Sequence, residues 1–191
     1  MKIRVNPWPI PAYTAERMPT TKDRRPTTRI GYGFDSHEFQ PGIPLKIGGA
    51  TLKHDKGLGG HSDGDVLLHA ITDALLGAIA APDIGALFPP SDPKWKGADS
   101  VIFLREALNR VREAGYAVAN VDSSLILAAP KIGPHSAAIR TRVGELLGIP
   151  CDCVGLKAKT PEGLNLDNAA LAHVVVLLET AKASKKPTRK K

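Results

Sequence analysis

The feature that most constrains this 191-residue sequence is residues 60–77, where a loop of small residues leads into a periodic apolar segment. Ser62 is a candidate N-cap with Asp65 three residues later, and Gly77 is a candidate helix stop. Apolar residues recur in this segment at spacings of three and four, which predicts a helix with one buried side. They are Leu67, Leu68, Ile71, Leu75 and Leu76.

The other side of this predicted helix carries an unusual set of polar residues. Asp65, His69 and Asp73 lie four residues apart and therefore share a face. An ordinary amphipathic helix would place Lys or Glu there, whereas this one places an imidazole between two carboxylates. Asp65 or Asp73 is a candidate to orient the His69 ring, and helix capping is the alternative for Asp65. The free N–H groups of the preceding loop suit a phosphate.

A second imidazole and another carboxylate come from residues 31–39, which predict a strand entering a loop. On a strand, Asp35 and His37 point to the same face. Alone, such a pair is a weak signal, and a turn residue with a surface histidine is then the favoured interpretation. With His69 it makes two imidazoles and one carboxylate, a set that binds zinc and leaves a fourth coordination position open.

The remaining pattern mixes strands and helices and indicates one α/β domain. Residues 45–52 predict a hairpin, residues 57–60 a flexible approach to the helix, and the proline-rich residues 83–93 a loop or lid. Further helices are predicted after Asp99 or Ser100 and around 139–147, and strands at 121–128 and 154–158. Residues 169–181 contain three consecutive valines, but their length favours a helix over a strand.

The net charge of +7 is confined to the chain ends. Residues 1–29 contribute +5 and residues 181–191 contribute +6, which leaves −4 for residues 30–180. The body of the chain therefore gives no reason to expect a specific nucleic-acid partner, although the tails could contact one weakly. No apolar run of about 18 residues is present, so no membrane partner is expected.

Three segments are predicted from these patterns. Residues 1–28 are expected to be a poorly ordered, basic, proline-rich extension, with a transit peptide or a start site placed too far upstream as alternatives. Residues 29–181 form the domain and residues 182–191 a basic tail. Cys151 and Cys153 are too close in sequence for an ordinary disulfide and indicate reduced thiols, so the expected location is the cytoplasm.

A series of short motifs between Arg29 and Glu179 carries a resemblance to a known family. In order, they are Gly-Phe-Asp-Ser-His at 33–37, His-Ser-Asp-Gly-Asp-Val at 61–66 with His69, Asp-Ile-Gly at 83–85 before Phe-Pro at 88–89, Asp-Pro at 92–93, Lys-Gly-Ala-Asp-Ser at 96–100, Asn-Val-Asp at 120–122 and Ala-Pro-Lys at 129–131. Each motif is weak alone, but this order and spacing is highly specific. The chain resembles the 2-C-methyl-D-erythritol 2,4-cyclodiphosphate synthases of the non-mevalonate isoprenoid pathway.

The resemblance implies an α/β (α+β) fold, a single domain with a small mixed β-sheet and helices packed on one face, which assembles as a homotrimer with active sites between subunits. It implies a metal-dependent phosphorus-oxygen lyase acting on a small-molecule substrate, 4-diphosphocytidyl-2-C-methyl-D-erythritol 2-phosphate. The 2-phosphate attacks the β-phosphorus, CMP leaves, and the 2,4-cyclodiphosphate forms.

The same resemblance assigns residues to roles. Asp35, His37 and His69 would bind zinc, and Glu162 would bind a second cation, Mg or Mn. His61 and Thr160 would be the catalytic residues that stabilise the transition state. The expected substrate contacts are Asp35, Ser36, His37, His61, Ser62, Asp83, Ile84, Gly85, Phe88, Pro89, Pro90, Ser91, Asp92, Leu127, Ala128, Ala129, Pro130, Lys131, Ile132, Gly133, Lys159, Thr160, Pro161, Glu162 and Leu166.

Two departures from the family pattern stand out. Lys159 takes the place of a common threonine, and the segment after Leu164 is about three residues shorter and has no arginine. In the family, that arginine lines the central trimer cavity, where isoprenoid diphosphates can bind. We therefore expect catalysis to be intact and the cavity function to be lost. The competing hypotheses are a metal-dependent phosphate-ester hydrolase and a non-enzymatic protein that binds through its basic tails.

Overall fold

The computed structural model describes residues 26–181 and contains seven strands and four α-helices in that range. The predicted extension 1–28, apart from its last three residues, and the predicted tail 182–191 lie outside the described residues. In chain order the elements are β1 (Thr28–Pro41), β2 (Leu45–Ile47), β3 (Ala50–Leu52), β4 (Lys56–Leu58), α1 (Val66–Ala78), α2 (Ile84–Leu87), α3 (Ser100–Glu113), β5 (Tyr116–Leu127), α4 (Ser136–Leu147), β6 (Val154–Lys159) and β7 (Ala169–Thr180).

Five of the strands form one mixed sheet in the order β4-β1-β7-β5-β6. β7 pairs antiparallel with β1 on one side and with β5 on the other, while β5 and β6 run parallel. β2 and β3 form the predicted hairpin beside this sheet. Buried residues of α1, α3 and α4 join the inward residues of the sheet in a single core. The expected single domain with a small mixed sheet and packed helices is confirmed.

The last segment of the domain is a strand, and the prediction of a helix there was wrong. Residues 170, 172, 174, 176 and 178 of β7 are buried, while the residues between them are partly or fully exposed. This period of two is that of a strand with one covered face. β7 is hydrogen-bonded to a neighbouring strand along both of its edges, which stabilises a strand of this unusual length. Its β-branched valines also favour a strand.

Three smaller predictions about α1 and the residues before it were also wrong. Residues 57–60 are not simply flexible, because β4 pairs with the end of β1. The N-cap of α1 is Asp65 and not Ser62, since the Asp65 carboxylate accepts a hydrogen bond from the Leu68 N–H at 3.0 Å. Gly77 lies inside the helix, and Ala80, with φ of 55°, takes the left-handed conformation just beyond it.

The contact between β1 and α1 depends on glycine. A Cβ at Gly33 would lie 2.0 Å from the Ala70 carbonyl oxygen, and one at Gly31 would lie 1.8 Å from the Ala74 carbonyl oxygen. Only a residue without a side chain allows the helix backbone this close to the strand. β1 and α1 are therefore held at a short distance, and side chains farther along both elements meet directly.

The opposite face of the sheet is uncovered and largely apolar. Ile30, Tyr32, Phe34 and Val175 are between 43% and 71% exposed there. The helices thus cover only one face, as expected. None of the helices in residues 26–181 is long and apolar enough to cross a membrane. Both cysteines are free thiols, as predicted.

Candidate active site

The predicted metal ligands meet at one point between β1 and α1. Asp35 and His37 project from the same face of β1, and His69 lies in the first turn of α1. The Asp35 Oδ2 atom lies 2.9 Å from both the His37 Nε2 and the His69 Nδ1 atoms, and these two nitrogens are 3.0 Å apart. Tetrahedral zinc ligands at about 2.0 Å lie roughly 3.3 Å from one another. The three atoms therefore fit a single small cation with little rearrangement.

The charges in this cluster also suit a cation. Burial alone would raise the pKa of Asp35, but hydrogen bonds from His37 and His69 lower it to about 2. Burial alone would lower the pKa of His37, but the hydrogen bond and charge of Asp35 raise it. Asp35 is thus a permanent anion near neutral pH. One carboxylate and two imidazoles are a donor set that transition-metal dications such as zinc prefer.

The carboxylates predicted to orient His69 do something else. Asp65 is buried and accepts hydrogen bonds from the Gly48 and Gly49 N–H groups at 2.8 and 2.7 Å, which ties the hairpin to α1. Asp73 accepts a hydrogen bond from the Ile84 N–H at 2.8 Å and so anchors α2. The groups that contact the His69 Nε2 atom are instead two hydroxyls, those of Ser62 and Ser100.

A cavity of about 150 Å³ opens beside the metal cluster. One wall is the predicted lid, in which Asp83 caps the short helix α2. Trp95 and Phe103 also line this cavity and pack against Phe88, with ring centroids 5.0 and 4.6 Å from that of Phe88. Sequence reasoning missed these two aromatic residues, although both follow the lid within one short segment. The predicted residues that line the cavity are His37, His61, Ser62, His69, Ile84, Gly85, Phe88 and Pro90.

A second cavity, of about 310 Å³, lies where β5 and β6 end. Ala158 is the lining residue that was not predicted. The Thr160 hydroxyl donates a hydrogen bond to the Glu162 carboxylate, and Glu162 has a left-handed backbone with φ of 49°. The predicted residues that line it are Leu127, Ala128, Pro130, Lys131, Ile132, Gly133, Lys159, Thr160 and Glu162.

The remaining predicted contacts line neither cavity. Within two residues in sequence of the first cavity's lining are Asp35, Ser36, Asp83, Pro89, Ser91 and Asp92, and next to that of the second are Ala129 and Pro161, whereas Leu166 lies four residues beyond Glu162. The two cavities share no lining residue among residues 26–181. β1 and β6 are three steps apart in the sheet, and steps of about 4.8 Å separate them by roughly 14 Å. One chain thus carries two separate halves of the predicted site.

Three side chains that could hold one metal ion lie under an aromatic lid, and a separate cavity holds Lys159 and Glu162, in an α+β protein. The family model described as the YgbB family matches residues 28–179. The chain belongs to this family.

Curated relatives agree with this assignment. The 2-C-methyl-D-erythritol 2,4-cyclodiphosphate synthase of Koribacter versatilis is 71% identical over 79% of this chain and 97% of its own length. The chloroplastic enzyme of the same name from Oryza sativa is 53% identical over 78% of this chain and 69% of its own length. A solved structure of a 2-C-methyl-D-erythritol 2,4-cyclodiphosphate synthase in a CDP-bound form is 44% identical, covers 79% of this chain and all of its own, and has a TM-score of 0.75.

Proposed function

We propose that this chain converts 4-diphosphocytidyl-2-C-methyl-D-erythritol 2-phosphate into 2-C-methyl-D-erythritol 2,4-cyclodiphosphate with release of CMP, in the non-mevalonate isoprenoid pathway. The observation that carries the proposal is the convergence of Asp35, His37 and His69 at hydrogen-bond distance in a chain 71% identical to a synthase of this name. As a reaction class, this is a cyclising phosphorus-oxygen lyase that depends on metal.

The protein needs to contribute little covalent chemistry to this reaction. An oxygen of the substrate's own 2-phosphate forms a bond to the β-phosphorus, and the bond from that phosphorus to the bridging oxygen of CMP breaks. Water takes no part, and no side chain has to serve as nucleophile. Catalysis then consists of holding two phosphates together and neutralising their charge.

The residues around the first cavity would hold the erythritol phosphates. Asp35, His37 and His69 would bind zinc, which supplies Lewis-acid polarisation of a phosphoryl oxygen. His61 and Ser62, at the cavity wall, would donate hydrogen bonds to phosphate oxygens. Closure of the lid, with Phe88 packed against Trp95, would exclude water and so disfavour hydrolysis.

The residues around the second cavity would hold the cytidine diphosphate. Support comes from the relative solved in a CDP-bound form and from the Lys131 and Lys159 ammonium groups at this cavity. Glu162 would hold a Mg or Mn ion on the diphosphate, since a hard cation prefers carboxylate and phosphate oxygens. The Thr160 hydroxyl would then turn from Glu162 to the phosphate that develops charge.

We further propose a homotrimer in which each active site forms between neighbouring subunits. In one chain the two cavities share no lining residue, and strands β1 and β6 lie roughly 14 Å apart in the sheet, which leaves a gap between the two halves of the proposed site. Bringing one subunit's first cavity against another subunit's second cavity removes that gap. The uncovered apolar face with Ile30, Tyr32, Phe34 and Val175 supports association of copies. We propose that the chain has no specific nucleic-acid partner and no membrane partner, and that it is located in the cytoplasm.

The test is to incubate the purified chain with the cytidyl substrate, zinc and Mg, and to follow the products by phosphorus NMR. CMP and the cyclic diphosphate should form in equal amounts. CMP together with a linear phosphate product would indicate the hydrolase hypothesis instead. The same assay on protein cut back to residues 26–181 should show unchanged turnover, whereas its loss would favour a function of the basic tails.

A further inference from the structure

A chain of polar contacts runs from the surface to the far side of the His69 ring. The Lys46 Nζ atom lies 2.8 Å from the Asp63 Oδ2 atom, and Asp63 Oδ1 accepts a hydrogen bond from the Ser100 hydroxyl. The Ser100 Oγ atom lies 2.8 Å from the His69 Nε2 atom. Ser100 is fully buried, so its hydroxyl has only these partners among the contacts that the structure shows.

The direction of these hydrogen bonds follows from proton counting. A serine hydroxyl has one proton to donate and two lone pairs that accept. An ionised carboxylate is a stronger acceptor than a neutral imidazole nitrogen, so the Ser100 proton goes to Asp63. The Ser100 oxygen can then only accept from His69. The His69 Nε2 atom must therefore carry a proton, which leaves Nδ1 as the nitrogen available to bind a cation.

That nitrogen faces Asp35 and His37. The His69 Nδ1 atom is the one that lies 2.9 Å from Asp35 and 3.0 Å from the His37 Nε2 atom. We propose that Asp63 and Ser100 are positioning residues that fix the tautomer and orientation of His69, and that Lys46 holds Asp63 in place as the charged end of this relay. The proposal rests on the metal site proposed above and adds residues that act on it from behind.

Ser62 fits the same scheme. Its Oγ atom lies 2.9 Å from the His69 Nε2 atom, so it shares the N–H that Ser100 receives. Because Ser62 accepts there, its own proton is free to be donated into the first cavity. One histidine proton thus orients a hydroxyl toward the place proposed for the substrate phosphate.

The ordinary alternative is that Asp63 merely ties the start of α3 to the loop before α1. It does so through the Ser100 backbone N–H, which lies 3.3 Å from Asp63 Oδ1. That role explains the contact between Asp63 and Ser100 but gives no reason for the hydroxyl to reach His69. Ser100→Ala separates the two roles, because it keeps the backbone hydrogen bond and removes only the hydroxyl.

Two measurements on Ser100→Ala test the relay. In metal-free protein, nitrogen NMR should find a proton on the His69 Nε2 atom in the wild type and a smaller Nε2-protonated population in the variant. Zinc affinity, from competition with a chromophoric chelator, should fall by about 10- to 100-fold, as for other groups that orient a ligating histidine. The visible spectrum of the cobalt-substituted protein should change as well.

Asp63→Asn provides a second variant, which keeps the side-chain volume and removes the charge. It should weaken zinc binding less than Ser100→Ala, because a neutral oxygen still accepts the serine proton. Thr72→Val is the matched control, since it removes another buried hydroxyl of this core, one that bonds only the Leu68 carbonyl oxygen at 2.7 Å. Its zinc affinity and cobalt spectrum should equal those of the wild type.

The outcomes separate this inference from the proposal it rests on. Wild-type protein that binds no stoichiometric zinc refutes the metal site, while the NMR measurement on metal-free protein still tests the relay. An unprotonated His69 Nε2 atom in the wild type, or Ser100→Ala with unchanged zinc affinity and spectrum, overturns the relay alone.

Discussion

Gly33→Ala should damage the metal site without touching any ligand. The new Cβ would lie 2.0 Å from the Ala70 carbonyl oxygen, where ordinary contact begins at 3.4 Å, so β1 and α1 must separate by about 1.4 Å, the difference between the two. Both clashing groups are backbone or rigidly attached to it, and neither can rotate away. Overpacking of this kind destabilises by about 1–3 kcal/mol, and here we expect the upper end.

The same displacement reaches the ligands because they lie on these two elements. Asp35 is two residues beyond Gly33 on β1, and His69 directly precedes Ala70 on α1. Metal sites tolerate errors of about 0.2 Å in ligand distance. We therefore expect zinc affinity to fall at least about tenfold, and the unfolding midpoint to fall by roughly 6–12 °C for about 3 kcal/mol in a domain of this size.

Calorimetric unfolding and chelator competition measure both effects. Gly77→Ala is the matched control, because a Cβ there meets only the Tyr32 carbonyl oxygen at an ordinary 3.7 Å. Within a helix that change should stabilise by up to about 1 kcal/mol and leave zinc affinity unchanged. Gly33→Ala with wild-type melting and zinc affinity would refute the idea that this close approach sets the ligand distances.

Three further predictions concern the two cations and the central cavity of the proposed trimer. His69→Ala should lose the bound zinc and most activity while the protein keeps its assembly, and full zinc occupancy in that variant would refute the ligand assignment. Glu162→Gln should keep the zinc content and lower kcat steeply with partial rescue by high Mn, whereas normal turnover would reduce Glu162 to a loop residue beside Thr160. Farnesyl diphosphate should neither bind tightly nor change activity, since the segment after Asn168 has no arginine to pair a buried diphosphate; micromolar binding by calorimetry would contradict this.

The three residues of the candidate metal site could be predicted from the sequence because the relevant spacings are local. Asp35 and His37 lie on the same face of any strand that contains both. The spacing of the apolar residues around His69 predicts a helix without knowledge of the elements that pack against it. What local spacing cannot show is the distance between the strand and the helix. That distance depends on Gly33, whose importance becomes visible only against the Ala70 carbonyl oxygen.

The wrong predictions concern segments whose conformation depends on contacts with distant parts of the chain. β7 has the length of a helix, and only pairing with both β1 and β5 makes so long a strand stable. Ser62 satisfies the pattern of an N-cap, but Asp65 takes the role because its carboxylate also receives the N–H groups of the hairpin. The contact of Ser100 with His69 joins residues 31 positions apart and leaves no mark on any periodicity.

In the proposed reaction the substrate's own phosphate, and not water, attacks the β-phosphorus. Turnover in water enriched in heavy oxygen, followed by mass spectrometry of the products, tests this directly. Neither CMP nor the cyclic diphosphate should gain heavy oxygen, and the two should form in equal amounts. Heavy oxygen in a linear phosphate product, formed in step with CMP, would contradict it and identify a metal-dependent hydrolase.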